Sequence, residues 1–275
     1  MLSTPHEHLK SLCELRIPSS FNKKWATTGI TQYLMEHLSM LDIPLLQQSC
    51  FRVGNNERAN IMCRFKGKSD GLHIAFSAHH DVVDPHADNA NDNLASVAIL
   101  LALAESLADA PWPLNNTIDI FFTDGEEVGG QGARRIATSW YKRFTPVLLL
   151  NLELTAYGDC WWVEGIPPEH ETIAEMLSDI SERPSCITPI PFSDATIYRH
   201  AGVDTAVCIG RLPFQDMASW VQQDVPPPAW RTCHTRNDTF ERANEDDMQA
   251  ALTELLTVAT EIDSEMLVAY DNIQH

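Results

Sequence analysis

The chain has 275 residues, enough for one large core, and a hydrophobic fraction of 44% that argues against disorder. Acids outnumber bases 38 to 19, for a formal charge of −19. A field of that sign repels phosphate backbones, and no apolar run approaches the roughly 20 residues that cross a bilayer, so neither a nucleic-acid binder nor a membrane-spanning protein is expected.

Met1 to Pro18 carries His6, Glu7, His8 and Lys10 where an export signal needs an apolar stretch. The seven cysteines are scattered, with no C-x-x-C pair. Free thiols in a cytoplasmic protein are expected, although a chain from which a signal had been removed would read the same. Between Trp25 and Leu41, Ile30, Tyr33, Leu34, His37, Leu38 and Leu41 recur at helical spacing, with Pro44 beyond. Residues 59–66 and 73–78 read as strands split by the turn-forming stretch Gly67–Gly71. A polar segment, Asp84 to Asn93, leads into a helix from Leu94 to Leu107 that is apolar on most faces and therefore buried against a sheet.

Pro111 and Pro113 precede a strand at Thr117–Thr123, so 73–78, 94–107 and 117–123 form a βαβ crossover. Further strands are predicted at Val147–Leu152, Cys160–Val163 and Thr205–Ile209, and helices at Glu169–Glu182 and Glu245–Val268. This alternation predicts a single α/β domain over residues 1–275, a three-layer α/β/α arrangement around a mixed, mostly parallel sheet. The Pro-rich stretch Arg211–Cys233 reads as a long loop near the active site.

Ligands collect at the carboxyl ends of parallel strands. There the sequence places His79-His80-Asp81, Asp124-Gly125-Glu126-Glu127, Glu153 and, after the long loop, His234, with Asp92 at the entrance to the buried helix. Residues two apart on a strand share a face, so Asp81 can accept the second ring N–H of His79 and fix its tautomer; His80 faces the other way. Of two adjacent glutamates, one can bind a metal while its neighbour takes a proton from water acidified by that metal. Each piece alone has an ordinary reading: a hydrogen-bonded histidine, a solvated acidic turn, an aspartate helix cap. A calcium loop at Asp88–Asn93 fails because Ala90, Asn93 and Ile99 stand where ligands or glycine are required. There is no Gly-x-Ser-x-Gly elbow and no P-loop, and Cys233 beside His234 is poorly placed for proton transfer between neighbours.

Taken in order, the segments Ser77–Val82 (SAHHDV), Asn91–Ser96 (NDNLAS), Thr123–Ala133 (TDGEEVGGQGA), Leu150–Thr155 (LNLELT), Phe192–Thr196 (FSDAT) and Cys233–Thr239 (CHTRNDT) resemble the zinc exopeptidases of clan MH. The branch they look most like is that of the bacterial leucyl aminopeptidases, glutamate carboxypeptidases and glutaminyl cyclases. The resemblance implies that fold, with two zinc ions, or one replaced by another divalent metal. Asp92 would bridge them, His79 and Glu153 completing one site and Glu127 and His234 the other. It further implies Glu126 as general base, Asp81 behind His79 and a cis peptide bond at Asp92–Asn93. No segment has room for the dimerisation domain inserted in the clan's other large branch.

Two departures matter. Glu153 stands where many aminopeptidases of the family carry Asp, and glutamate there is more typical of carboxypeptidases and deacylases. Leu94 breaks the usual run after the bridging aspartate, so the helix start is expected to shift. The expected activity is therefore an exopeptidase, most simply an aminopeptidase, with an N-acyl amino acid hydrolase or carboxypeptidase next and a glutaminyl cyclase after that. A non-catalytic binding protein on the same scaffold is the remaining alternative. Asp194, Arg199, Arg211 and Trp230 are the candidate substrate contacts, an arginine for a substrate carboxylate, and Phe214 and Trp220 are candidate pocket walls. Peptides or N-acyl amino acids are the expected substrates.

Overall fold

A computed structural model describes residues 2–15, 23–83, 87–110, 113–140, 146–165, 169–188, 192–223 and 226–267. Asp84 to His86 of the polar segment and Val268 lie outside these. The strands are β1 (Leu45–Val53), β2 (Asn56–Phe65), β3 (His73–His79), β4 (Thr117–Thr123), β5 (Leu148–Leu152), β6 (Cys160–Glu164), β7 (Cys186–Thr188) and β8 (Ala206–Leu212). They form one sheet in the order β1-β2-β4-β3-β5-β8-β6-β7. The central four, β4, β3, β5 and β8, run parallel, β1 and β2 join as an antiparallel flank, and β6 returns antiparallel against β8.

Strand periodicity sorts the side chains into two layers. Ile74, Phe76 and Ala78 of β3, Ile118, Ile120 and Phe122 of β4, and Trp161 and Val163 of β6 enter the larger core. There they meet helices α1 (Pro5–Glu14), α2 (Lys23–Ser39), α3 (Ala95–Asp109), α5 (Glu169–Ser181) and α9 (Glu245–Thr260). Their alternates face α4 (Gln131–Ser139), α6 (Asp194–His200), α7 (Phe214–Gln223) and α8 (Pro228–Thr232). The α/β/α expectation holds, and β3, α3 and β4 form the parallel crossover unit. No helix among the described residues is long and apolar enough to cross a membrane.

Three elements depart from the sequence reading. The stretch 211–233 is largely ordered structure: Arg211 and Leu212 finish β8, α7 buries Met217 and Trp220, and Pro228, whose fixed φ suits a first helical turn, opens α8. The helix predicted at Glu245–Val268 is broken: α9 stops at Thr260, and residues 264–267 are helical again. The buried helix starts at Ala95, after a π-type turn over Ala90–Leu94 in which Asp92 (φ −118°, ψ 87°) and Asn93 are not helical. Asp92 is thus no helix cap, and the Asp92–Asn93 peptide bond is cis.

Candidate active site

The polar residues gather where the four parallel strands end. His79 closes β3, Glu153 follows β5, and the turn after β4 carries Glu126 and Glu127. That turn is tight: Gly125 adopts φ +92°, and the Glu126 carbonyl accepts the N–H groups of both Gly129 and Gly130. The π turn brings in Asp92 and fastens itself to the sheet, since Asn93 Nδ2 donates to the Leu152 carbonyl at 2.8 Å and Asn91 Oδ1 accepts the Ala156 N–H at 3.0 Å. His234, at φ +60°, arrives from the loop after α8.

Asp92 stands between two histidines. Its Oδ1 lies 3.3 Å from His79 Nε2 and its Oδ2 3.2 Å from His234 Nε2. On the far side of His79, Glu153 Oε2 is 3.3 Å from the same Nε2; on the far side of His234, Glu127 Oε1 is 3.2 Å from that Nε2. Two donor pockets result, His79–Asp92–Glu153 and Asp92–Glu127–His234, sharing one carboxylate. A third grouping, His79, Glu126 and Glu127, falls within the same reach and puts Glu126 beside both pockets.

These separations suit a metal. Donors each about 2.1 Å from a tetrahedral ion lie about 3.3–3.4 Å apart. Glu127 Oε1 is buried, and despite its 3.2 Å approach to His234 it makes no hydrogen bond, as expected of an atom that shares with the imidazole an external point of attraction.

The electrostatics point the same way, with four carboxyl groups meeting two imidazoles. Burial pushes Glu126 up to about 9 and Glu127 up to about 7, nearby carboxylates adding to both, and burial also raises Glu153. For His79, burial is outweighed by Glu153, Asp81 and Asp92, which hold it well above the usual imidazole range. His234 is raised to about 9, first by its bond to Asp92. Burial of Asp92 is likewise overcome by the two histidines, which hold it below the usual carboxylate range. Divalent cations relieve this crowding of negative charge.

Asp81 does more than face His79. His79 Nδ1 lies 3.2 Å from the Asp81 carbonyl and 3.5 Å from its carboxylate, which mainly accepts the N–H groups of Glu126 and Glu127. Arg58 donates through one Nη1 to Asp81 at 3.3 Å and to Asp124 at 2.5 Å. Neither Arg58 nor the backing role of Asp124 is legible locally, because sheet pairing of β2 with β4 brings them together. His80 is fully buried, 3.0 Å from Thr31 Oγ1.

A cavity of about 540 Å³ opens over the carboxylates, its apolar wall made by Leu154, Trp162, Phe192, Trp230 and Cys233. Trp162 and Trp230 contact edge to face at 5.8 Å, and Trp230 meets Trp220 at 4.5 Å. A Cβ at Gly210 would come within 1.9 Å of the Glu153 carbonyl oxygen and 2.3 Å of the Trp162 ring, so β8 can pass beneath both only as glycine. Burial raises the Cys233 thiol, which disfavours a thiolate nucleophile.

The profile of peptidase family M28 matches residues 60–259. The chain belongs to that family. As an M28 peptidase it is a peptide hydrolase, and the match spans every donor described above. Comparison with curated proteins finds no match. Among solved structures, a Zn-dependent exopeptidase from Parabacteroides distasonis superposes with TM-score 0.70 at 18% identity, covering 94% of this chain and 97% of that one. The LapA aminopeptidase of Legionella pneumophila gives 0.71 at 13% identity, covering 94% and 73%. A Bacteroides thetaiotaomicron glutaminyl cyclase bound to N-acetylhistamine gives 0.71 at 16%, covering 93% and 96%. At these identities the likeness is one of fold.

Among the expected substrate contacts of this M28 peptidase, only Trp230 lines the cavity. Arg199 is committed to Glu164 by two bonds of 2.8 and 2.7 Å and to the Ala206 carbonyl. Arg211, 2% exposed, donates to Glu254 at 2.6 Å and to the Gly158 carbonyl at 2.7 Å, its guanidinium 4.8 Å from the Trp161 ring. The expectation that either arginine receives a substrate carboxylate is corrected, because Arg199 already pairs with the buried Glu164 and Arg211 with the part-buried Glu254. Asp194 is fully buried behind the wall, accepting from Thr123 Oγ1 at 2.6 Å. Phe214 is exposed away from the cavity and Trp220 backs Trp230, whereas Trp162 and Phe192, which do line it, were not anticipated. Strand alternation beyond Cys160 was the available signal for Trp162.

Proposed function

We propose that the chain is a zinc-dependent aminopeptidase with two divalent cations in the pockets that share Asp92, acting on peptides whose first residue is large and apolar. The pair of donor sets at metal-ligand separation, with Glu126 beside both, carries the reading. Zinc bound there supplies Lewis acidity, polarising a carbonyl oxygen and acidifying water. Glu126, left out of the two pockets that share Asp92, accepts the proton of the attacking water and returns it to the leaving amine. Asp81 holds the turn that aims it, and Leu154, Trp162, Phe192 and Trp230 receive the side chain and exclude water.

The polarity of attack follows from charge. Among the described residues lining the cavity, the ionisable groups are Asp92, Glu126, Glu127, Glu153, His79, His234 and the thiol of Cys233, with no arginine or lysine. A carboxypeptidase or N-acyl amino acid hydrolase needs a cation for the substrate carboxylate, usually an arginine fork. A substrate that presents a free α-amine needs no such cation. Glu153 pulls the other way by resemblance, but its carboxylate length alone provides no carboxylate receptor. The aromatic wall supports a second reading, cyclisation of an N-terminal glutaminyl residue, which also begins from a free amine. The seven unbridged cysteines support a reducing compartment such as the cytoplasm.

The test is a substrate panel with zinc added: aminoacyl, N-acyl and N-terminal glutaminyl compounds beside peptides with blocked N-termini. Fastest release from aminoacyl substrates is expected. Faster turnover of N-acyl or amino-blocked substrates sinks the aminopeptidase reading, and neither zinc uptake nor turnover points to a binding protein.

A further inference from the structure

Asp238 lies four residues after His234, inside the Cys233–Thr239 segment, and no role follows from its position there alone. It is 2% exposed, and its two carboxylate oxygens face two consecutive peptide groups: Oδ1 accepts the N–H of Asn91 at 2.7 Å and Oδ2 that of Asp92 at 3.0 Å. Its own N–H donates to the Thr235 carbonyl at 3.1 Å, which fixes it against the turn that carries His234. The tie is reciprocal: Asp88 donates its N–H to the Asp238 carbonyl at 3.2 Å, and the Asp88 carboxylate accepts the Phe240 N–H at 2.8 Å. Two loops about 150 positions apart in the chain are thereby held in one register. One supplies Asp92 and the other His234, whose donor atoms stand 3.2 Å apart.

We propose that Asp238 is the positioning residue that sets the Asp92–His234 separation and so the affinity of the Asp92–Glu127–His234 pocket for its cation. It touches neither cation nor substrate, and the inference rests on reading that pocket as a metal site. The chemistry requires a carboxylate. Two adjacent N–H donors need two acceptor atoms, whereas asparagine offers one and turns an NH2 group against the remaining N–H. The His79–Asp92–Glu153 pocket is less dependent, because Asn93 and the end of β5 hold it from the other side.

The experiment titrates metal-free Asp238→Asn and wild-type protein with zinc against a chromophoric chelator, records the visible spectrum after cobalt substitution, and measures Tm of the metal-free forms. Expected are two binding events in wild type, one of them weakened about 10–100-fold in Asp238→Asn while the other is retained. The cobalt band of the weakened site should change, with the metal-free Tm close to wild type. Asp238→Glu keeps the charge and should weaken the same event by less, which preserves the test if the asparagine variant folds poorly. Unaltered affinity at both events overturns the proposal, and so does equal loss at both with a lowered metal-free Tm. Wild-type protein that takes up no zinc overturns the metal reading itself, a result distinct from either.

Discussion

The carboxylate of Asp81 accepts the N–H of Glu126 at 3.1 Å on one oxygen and that of Glu127 at 3.3 Å on the other. It therefore aims the residue read as the base and the one read as a ligand at once, while Arg58 braces it from behind. Asp81→Asn replaces one acceptor by a donor and takes away the charge opposite Arg58. A fall of about 10–100-fold in both kcat and zinc affinity is expected, read from steady-state kinetics and metal titration. Normal values for both would remove Asp81 from the machinery.

Glu126→Gln retains the shape and loses the base. Turnover should drop by about 10²–10⁴-fold while zinc stoichiometry stays as in wild type. A variant that loses its zinc instead would identify Glu126 as a ligand, in line with the third donor grouping.

Asp194 gives the site a pH signature. Burial pushes Glu126 up to about 9, His79 offsets this in part, and Glu153, Asp194 and Glu127 add to it. A base works when ionised, so kcat/KM rises as pH rises through that group. Asp194→Asn removes one negative neighbour, lowers the Glu126 pKa and should move the acidic limb to lower pH. Burial first, then nearby carboxylates, raise Asp194 itself to about 7, although Thr123 and His79 oppose this. Its folded pKa thus exceeds the unfolded value of about 4. Its contribution to stability is present below pH 4 and fades as pH climbs to 7, so the Asn variant gains relative to wild type across that window. Superimposable rate profiles and a constant difference in Tm would contradict both expectations.

Arg199→Ala and Arg211→Ala should damage the fold and spare selectivity. Each leaves a largely buried glutamate, Glu164 or Glu254, without its cation, a loss of about 3–5 kcal/mol in denaturant unfolding. The ratio of rates on carboxylated and neutral substrates should not move; a selective loss on carboxylated ones would return these arginines to the binding site.

Phe192 is half exposed on the cavity wall, so its truncation costs little stability. Phe192→Ala is expected to cut kcat/KM for leucyl and phenylalanyl substrates by about 10–200-fold relative to alanyl substrates. Equal effects on all three would detach this residue from side-chain selection.

The central strands and α3 were legible because burial on both sides leaves near-continuous apolar runs. β1 was not: Leu45–Val53 is an edge strand exposed along most of its length, so its sequence lacks alternation. α1 escaped notice although Thr4 and Glu7 form a capping box that the sequence displays. In the site, His79, Asp92, Glu127, Glu153 and His234 could be picked out from the order of their motifs and the family these resemble, since each alone reads as an ordinary polar residue. The roles of Arg58 on β2 and of Asp238 could not, since their partners lie on distant segments of the chain. The arginines misled for the converse reason: a charged residue near a site suggests a ligand for substrate, and only packing reveals that Glu164 and Glu254 had claimed them.

The two pockets differ in when they can be built. His79, Asp92 and Glu153 come from β3, the π turn and the end of β5, and β3 pairs directly with β5. A chain emerging N-terminus first has thus synthesised the whole of one donor set while β6 to β8 are still unmade. The other set waits for His234 and for the loop that Asp238 fastens. The shared carboxylate of Asp92 therefore takes one set of partners from an early stretch of chain and the other from a late one, and the second pocket is completed only when nearly the whole domain has been made.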